Sequence, residues 1–178
     1  LQRTYRTASL EAGPFGIGAS HNYGYRLSTN TPQNVAIVNL IMPDGGRYPF
    51  INSGNGYRNS TIPAFSGAVM NIENDGRAAL RWKDGTVFHF VPSTGLLGSV
   101  LESISDPNGN IIRLVRNQSN QAQLTEIIDP VGRKLLLTYD TANRIKTVRD
   151  PIGRIVKYTY NAFGTLESVI NPENATTL

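Results

Sequence analysis

Between Lys134 and Ile170, short apolar runs alternate with clusters of turn-forming residues at a fixed interval. Leu135, Leu137 and Tyr139 fall on one face of an extended segment, and Val156, Tyr158 and Tyr160 repeat the arrangement, whereas Leu136 and Ile155 point the other way. Runs of this length, rich in Leu, Ile, Val, Thr and Tyr, predict strands rather than helices. The shorter runs carry Ile145 with Val148 and Leu166 with Val169. That spacing of three breaks strict alternation and predicts a bulge or a strong local twist.

Two turn signals punctuate each cycle. One is Asp-Pro-x-Gly, found at Asp106, Pro107 and Gly109, at Asp129, Pro130 and Gly132, and at Asp150, Pro151 and Gly153. The Asp caps its own turn, the Pro presets φ, and the Gly accepts positive φ at the exit, which is a type I turn signature. The other signal runs from Asp140 to Asn143 and from Asn161 to Gly164, and suits a hairpin with a glycine bulge. Asp129 to Asp150 and Asp150 to Asn171 are both 21 residues, so the two cycles align without a gap. Asp106 to Asp129 is 23 residues, the extra pair falling in the turn from Gln118 to Ala122. The chain therefore contains an internal repeat, with cycles at 106–128, 129–149 and 150–170 and a degenerate first one at 84–105, as stacked repeats usually show at a terminus.

Upstream the chain reads as strand, turn, strand. Val35 to Ile41 is an apolar run of buried-strand length, and Asp84-Gly85 between Leu80-Arg81-Trp82 and Thr86 to Phe90 is the strongest short hairpin signal. Turns recur at the roughly 8 to 12 residue spacing of an all-β architecture, and no helix is predicted. Residues 1 to about 30 lack a clear period: Leu1 to Arg6 can open with a strand, and Glu11 to Gly18 is a loop dense in Gly and Pro. Its glycines raise a phosphate cradle, which fails because no Lys-Ser/Thr follows and no buried strand precedes it.

The pattern Asp-Pro-x-Gly-Arg, then Tyr-Thr-Tyr-Asn, then Gly-x-Leu-x-x-Val resembles the YD repeats, also called Rhs repeats, of bacterial polymorphic toxins, insecticidal toxin complexes and teneurins. About ten positions recur in each cycle at fixed spacing, which makes the match specific. Arg3-x-Tyr5 followed by Gly13-Pro-Phe-Gly16-x-Gly18-Ala-Ser-His21-Asn-Tyr23 resembles the domain that commonly precedes such repeats, with Ala19 where a Trp is usual. The resemblance implies a pre-repeat β domain over 1–83 and repeats over 84–178. It also implies a hollow β-shell around a C-terminal toxin, in a secreted or cell-surface protein of bacterial type.

Composition narrows the picture. With 178 residues, 39% hydrophobic, 17 Gly and 10 Pro, the chain is globular and loop-punctuated, long enough to bury a core. No apolar run approaches the roughly 18 residues of a membrane span. The chain begins at Leu1 without a signal-peptide series, so it is expected to be a fragment of something longer. Without Cys it has neither disulfides nor thiolate metal sites. The net charge of +4 is mild, and residues 129 to 170 carry seven basic and four acidic residues interspersed beside turns. A solvated face explains them better than a nucleic-acid or glycosaminoglycan patch, so no nucleic-acid partner is expected.

The chemistry on offer is sparse. His21 and His89 are the only near-neutral bases. His89 lies in a strand between two Phe, where a neighbour commonly satisfies it, and His21 beside Ser20 lacks an orienting acid. Without a His-x-x-x-His or Cys, zinc is not expected, and no cofactor is implied. The evenly spaced Asp106, Asp129 and Asp150 suggest a calcium-binding solenoid, but each leads a turn, so capping outweighs an ion. Asn59, Asn117 and Asn174 head sequences that match glycosylation acceptors, which matter only in a secretory eukaryote.

The expectation is therefore an all-β chain: consecutive antiparallel hairpins in a twisted sheet, a segment of a spiral shell, non-catalytic, that encloses and helps deliver a toxin cargo. The alternative is an extracellular module for carbohydrate or a cell-surface receptor, using exposed rings among Trp82, Tyr57, Tyr158 and Tyr160. An enzyme would need His21 or His89 beside an acid in a cleft. Strand edges near Arg3 and Val169 predict edge-to-edge pairing between copies at high concentration, which light scattering would detect.

Overall fold

The computed structural model describes residues 1–6, 10–29, 36–93, 98–173 and 175–177. Val35 of the first apolar run, Asn174 of the third acceptor sequence and residues 94–97 of the degenerate repeat lie outside the described residues. The described chain is built almost wholly of antiparallel strands, with a single three-residue 3₁₀ turn, Pro63–Phe65. Contact density groups it into two compact units. Unit 1 comprises Leu1–Tyr23, Pro43–Gly45 and Leu114–Leu178, and unit 2 comprises Gly24–Met42 and Gly46–Arg113. The division at residues 83 and 84 follows repeat register, whereas packing groups the residues across it.

Unit 1 opens with β1 (Arg3–Tyr5), β2 (Ala12–Gly13), β3 (Gly16–Ile17) and β4 (Ala19–His21), of which β1 pairs with β4 and β2 with β3. Unit 2 follows with β5 (Arg26–Thr29), β6 (Ile37–Ile41), β7 (Arg47–Asn52), β8 (Tyr57–Arg58), β9 (Val69–Ile72), β10 (Ala78–Arg81), β11 (Val87–Pro92) and β12 (Ser99–Ser105). Each of these eight strands pairs antiparallel with the next, and β12 returns to β5 through Ser99 opposite Leu27 and Val100 opposite Arg26. The hairpin meander expected from the sequence thus closes into an eight-strand ring, which leaves no open edge within it. Leu27, Val38, Leu40, Phe50, Met70, Leu80 and Phe90, together with the adjacent pair Val100 and Leu101 beside the β12 register shift, are buried and fill its core.

Asp84-Gly85 marks the β10–β11 hairpin. It closes as a three-residue loop, Trp82 N–H to Thr86 O at 2.8 Å, because only Gly85 takes positive φ and a two-residue type I′ turn needs two such residues.

The chain passes from unit 2 to unit 1 within β13 (Ile111–Arg116), at Leu114, and unit 1 continues with β14 (Leu124–Ile128), β15 (Lys134–Tyr139), β16 (Ile145–Arg149), β17 (Ile155–Tyr160), β18 (Leu166–Ile170) and β19 (Thr176–Thr177). This meander is antiparallel throughout its described pairings. The predicted faces hold: Leu137 is buried and Leu135 and Tyr139 half-buried, while Lys134, Leu136 and Thr138 are exposed. The spacing of three is a bulge in each short strand. Tyr139 lies opposite Ile145 and Thr138 opposite Thr147, which leaves Lys146 as the extra residue, and Glu167 holds the same place one repeat later. Glu102 is skipped in the same way between β11 and β12, so the degenerate repeat shares the register break. Val169, expected near an open edge, pairs on both sides, with Tyr158 and with Thr177, because the Asn171 turn folds the chain back once more.

Candidate functional site

The recurring constellation of the repeats is the turn that opens each strand pair. In Asp129 to Arg133, Gly132 N–H donates to Asp129 O at 3.0 Å and Asp129 N–H donates to Arg133 O at 3.0 Å. The carboxylate completes it: Oδ1 accepts from the amides of Val131 and Arg133, and Oδ2 accepts from Arg133 Nε at 2.6 Å. Asp140 with Arg144 and Asp150 with Arg154 repeat the arrangement atom for atom. Asp106 uses Asn110 in place of Arg, and at Asn161 the carboxamide oxygen takes the two turn amides while its NH₂ donates to Thr165. Gly109, Gly132, Gly153 and Gly164 sit at φ between 83° and 91°, with Asn143 at 63° in the corresponding place. Pro107, Pro130 and Pro151 occupy the second turn position, whose amide has no role in the loop.

These carboxylates face their own turns, which is the arrangement of caps rather than ligands. At Asp129, Asp140 and Asp150 partial burial pushes the carboxyl up, but the hydrogen bonds from the Arg and the turn amides outweigh it and hold it below the usual carboxylate value. At Asp106 the side-chain bond from Asn110 leads the same downward shift. The partner Arg, always four residues on, was present in the sequence pattern as the residue after the glycine or Asn, though its role as a second fork was missed. Asp150→Ala is expected to lower the urea midpoint clearly, and Asp150→Asn by only a fraction as much, because Asn keeps the Oδ1 acceptor as Asn161 does. Equal losses in urea titrations of the two variants would contradict this.

A second device sits at each bulge. Tyr139 Oη donates to Leu124 O and accepts from Leu124 N–H, both at 2.9 Å, which satisfies a backbone pair beyond the end of the β14–β15 ladder at Glu126. Tyr160 Oη donates to Ile145 O at 2.6 Å, again across 15 residues, and the Arg144 guanidinium lies 4.4 Å from its ring centroid. Burial raises both phenols, Tyr139 to about 12. Tyr139→Phe is expected to cost about 2 kcal/mol, since it strands a donor and an acceptor, and Tyr160→Phe about 1 kcal/mol, since it strands one acceptor. Denaturant titration of the two variants checks the order.

The four rings singled out for ligand stacking are all half-buried. Trp82 packs between Phe65 at 5.8 Å and Phe88 at 5.5 Å, and Tyr57 sits opposite Met70 in the ring of unit 2. Tyr158 meets Phe15 edge-on at 4.9 Å, and Tyr160 is held as described. The two histidines likewise have structural places: His89 Nε2 lies 3.4 Å from Ser105 Oγ, and His21 is 3% exposed with Nδ1 accepting from Tyr23 N–H. Burial, and then the Arg116 charge, push His21 down to about 4. Asn59 is buried, its Oδ1 bonded to the amides of Thr61 and Ile62 and its Nδ2 to Pro49 O, so the first acceptor Asn is a corner brace.

Among the described residues no group of three His, Cys, Asp or Glu stands together as a metal site would require. No curated protein matches the chain. Residues 139–176 match the family model described as RHS Repeat, so the stretch that is similar to that family holds Tyr139 and Tyr160, the bulges of β16 and β18, and the turns at Asp140, Asp150, Asn161 and Asn171.

Proposed function

We propose that the chain is a non-catalytic structural segment of an RHS-repeat shell that encloses a C-terminal toxin and helps deliver it, secreted or at the bacterial cell surface. The observation that carries this reading is iteration: one carboxylate-capped turn and one bulge recur at 21-residue intervals, and the residues that recur are spent on holding strands together. A wall built this way is stiff, because in each recurring turn the first, third, fourth and fifth amides have partners on the chain itself, and Tyr139 and Tyr160 bond the backbone of an earlier strand. Of the rings named for sugar stacking, Trp82 and Tyr158 are taken up by ring packing and Tyr160 by a backbone bond.

The test uses the parent polypeptide with its C-terminal region. Under native conditions a broad-specificity protease is expected to leave that region intact, and the Asp129→Ala/Asp150→Ala double variant is expected to expose it. Equal digestion of the C-terminal region with wild-type and variant repeats would overturn the enclosing role.

A further inference from the structure

Gly13-Pro14-Phe15-Gly16 has the x-Pro-x-Gly order of the wall turns, and β2 and β3 close around it with Gly16 at φ 90°. Its behaviour is opposite to theirs. In the wall turns the residue after Pro faces solvent, with Val131 and Ile152 each 76% exposed, whereas Phe15 is 0% exposed. The hairpin is pressed into the repeats, about 130 residues further along the sequence.

The contact reads backbone as well as side chains. Ile145 N–H donates to Pro14 O at 2.7 Å, and Ile17 N–H donates to Gly164 O at 3.1 Å, so both ends of the turn are bonded to successive repeats. The Phe15 ring meets Tyr158 edge-on, and the Arg3 guanidinium lies 5.8 Å from the Tyr158 centroid. A Cβ on Gly16 would stand 2.5 Å from Gly164 O and 3.3 Å from the Tyr160 ring, so only glycine fits there.

The site belongs to this repeat and not to the one before. Leu124 is the counterpart of Ile145, and its N–H is closed by the Tyr139 hydroxyl, whereas the Ile145 N–H is turned to Pro14. Leu137 stands where this repeat has Tyr158, so the edge-on partner for an incoming ring is also particular to it.

We propose that the face formed by Ile145, Tyr158, Tyr160 and Gly164 is a recognition site for a tight Gly-Pro-aromatic-Gly peptide turn, filled in cis by residues 12–17. Because turn and site lie far apart in sequence, the same peptide supplied as a separate molecule can make the same contacts, without the effective concentration that the chain supplies.

The test uses the full chain. In Phe15→Ala the Ile145 amide is expected to exchange roughly a hundredfold faster than in the wild type, while amides of the β14–β15 ladder keep their rates. A synthetic peptide of residues 10–22 is expected to restore Ile145 protection saturably, and the same peptide carrying Phe15→Ala or Gly16→Val is not. Tyr158→Leu, which installs the residue of the preceding repeat, provides a version that keeps the wall intact and is expected to weaken the peptide's effect. Unchanged Ile145 exchange in Phe15→Ala, or no restoration by the wild-type peptide, overturns the proposal. Either result leaves the enclosing role untouched, since that role is read from protection of the C-terminal region.

Discussion

Gly98→Ala is expected to destabilise unit 2 by at least about 3 kcal/mol and to break the pairing of β12 with β5. Gly98 has φ 117°, and a Cβ there would overlap the carbonyl oxygen of Leu27 and stand 3.0 Å from Ser28 Cα. The obstacle is backbone, so no side chain can rotate away to make room. Leu27 is itself the partner of Ser99, one residue on, and Leu101 N–H reaches Tyr25 O at 3.4 Å, so the clash falls on the pairing that closes the eight-strand ring. Opening it would expose two strand edges and loosen Leu27, Val100 and Leu101 in the core. Urea unfolding together with amide exchange at Leu27 and Leu101 measures both effects. Wild-type exchange at these amides in the variant would show that the ring does not depend on glycine here.

The second large effect is a loss of stability in mild acid that traces to one side chain. His21 is held neutral in the fold, down to about 4 from an ordinary 6.5, by burial and by the neighbouring Arg116 and N-terminal charges. Above pH 6.5 both the folded and the unfolded chain carry it neutral. As pH falls from 6.5 toward 4 the unfolded chain takes up a proton that the folded chain refuses, so stability falls with pH, by about 3 kcal/mol in all. The capped carboxylates act at lower pH. Asp106, Asp129, Asp140 and Asp150 are shifted below their ordinary 3.8, so their contribution is present above that value and is lost beneath it. The two windows are separable. His21→Asn, which keeps an acceptor for Tyr23 N–H, is expected to flatten the stability profile between pH 6.5 and 4 and leave the steeper acid limb in place. A variant profile parallel to the wild type through that window would rule out His21 as its source.

Much of this architecture was legible in the chain because its signals are local. Alternation identified the inner faces of β15 and β17, the spacing of Ile145 and Val148 gave the bulge, and Asp-Pro-x-Gly gave the turns, since each depends on residues within one hairpin. What was hidden depends on distant pairs. Nothing near Ser99 announces that it will meet Leu27, because strand register across some seventy residues is set by how the ring fills and not by any nearby turn. The glycines at 13, 16 and 18 read as a loose loop, yet Gly16 permits close packing against Gly164 and Tyr160 far along the chain, a use of glycine that only three-dimensional neighbours reveal. Two details were within reach: an Arg follows three of the capping Asp at four residues, and Tyr139 and Tyr160 each lie 15 residues beyond the backbone carbonyl they bind.

The bulge shared by β12, β16 and β18 has an evolutionary corollary. Since the phenol of one hairpin must land on a carbonyl 15 residues earlier, and the extra residue must fall at the same step each time, strands can be added or lost only in whole blocks of 21 codons, whereas a turn tolerates extra codons, as in the 23-residue cycle at 106–128. A duplication of one whole block inserts a hairpin already in phase with its neighbours, whereas a single-codon indel within a strand throws every later inward residue outward. Such a gene is expected to vary among lineages in its number of blocks and in the length of its turns far more readily than in the length of its strands.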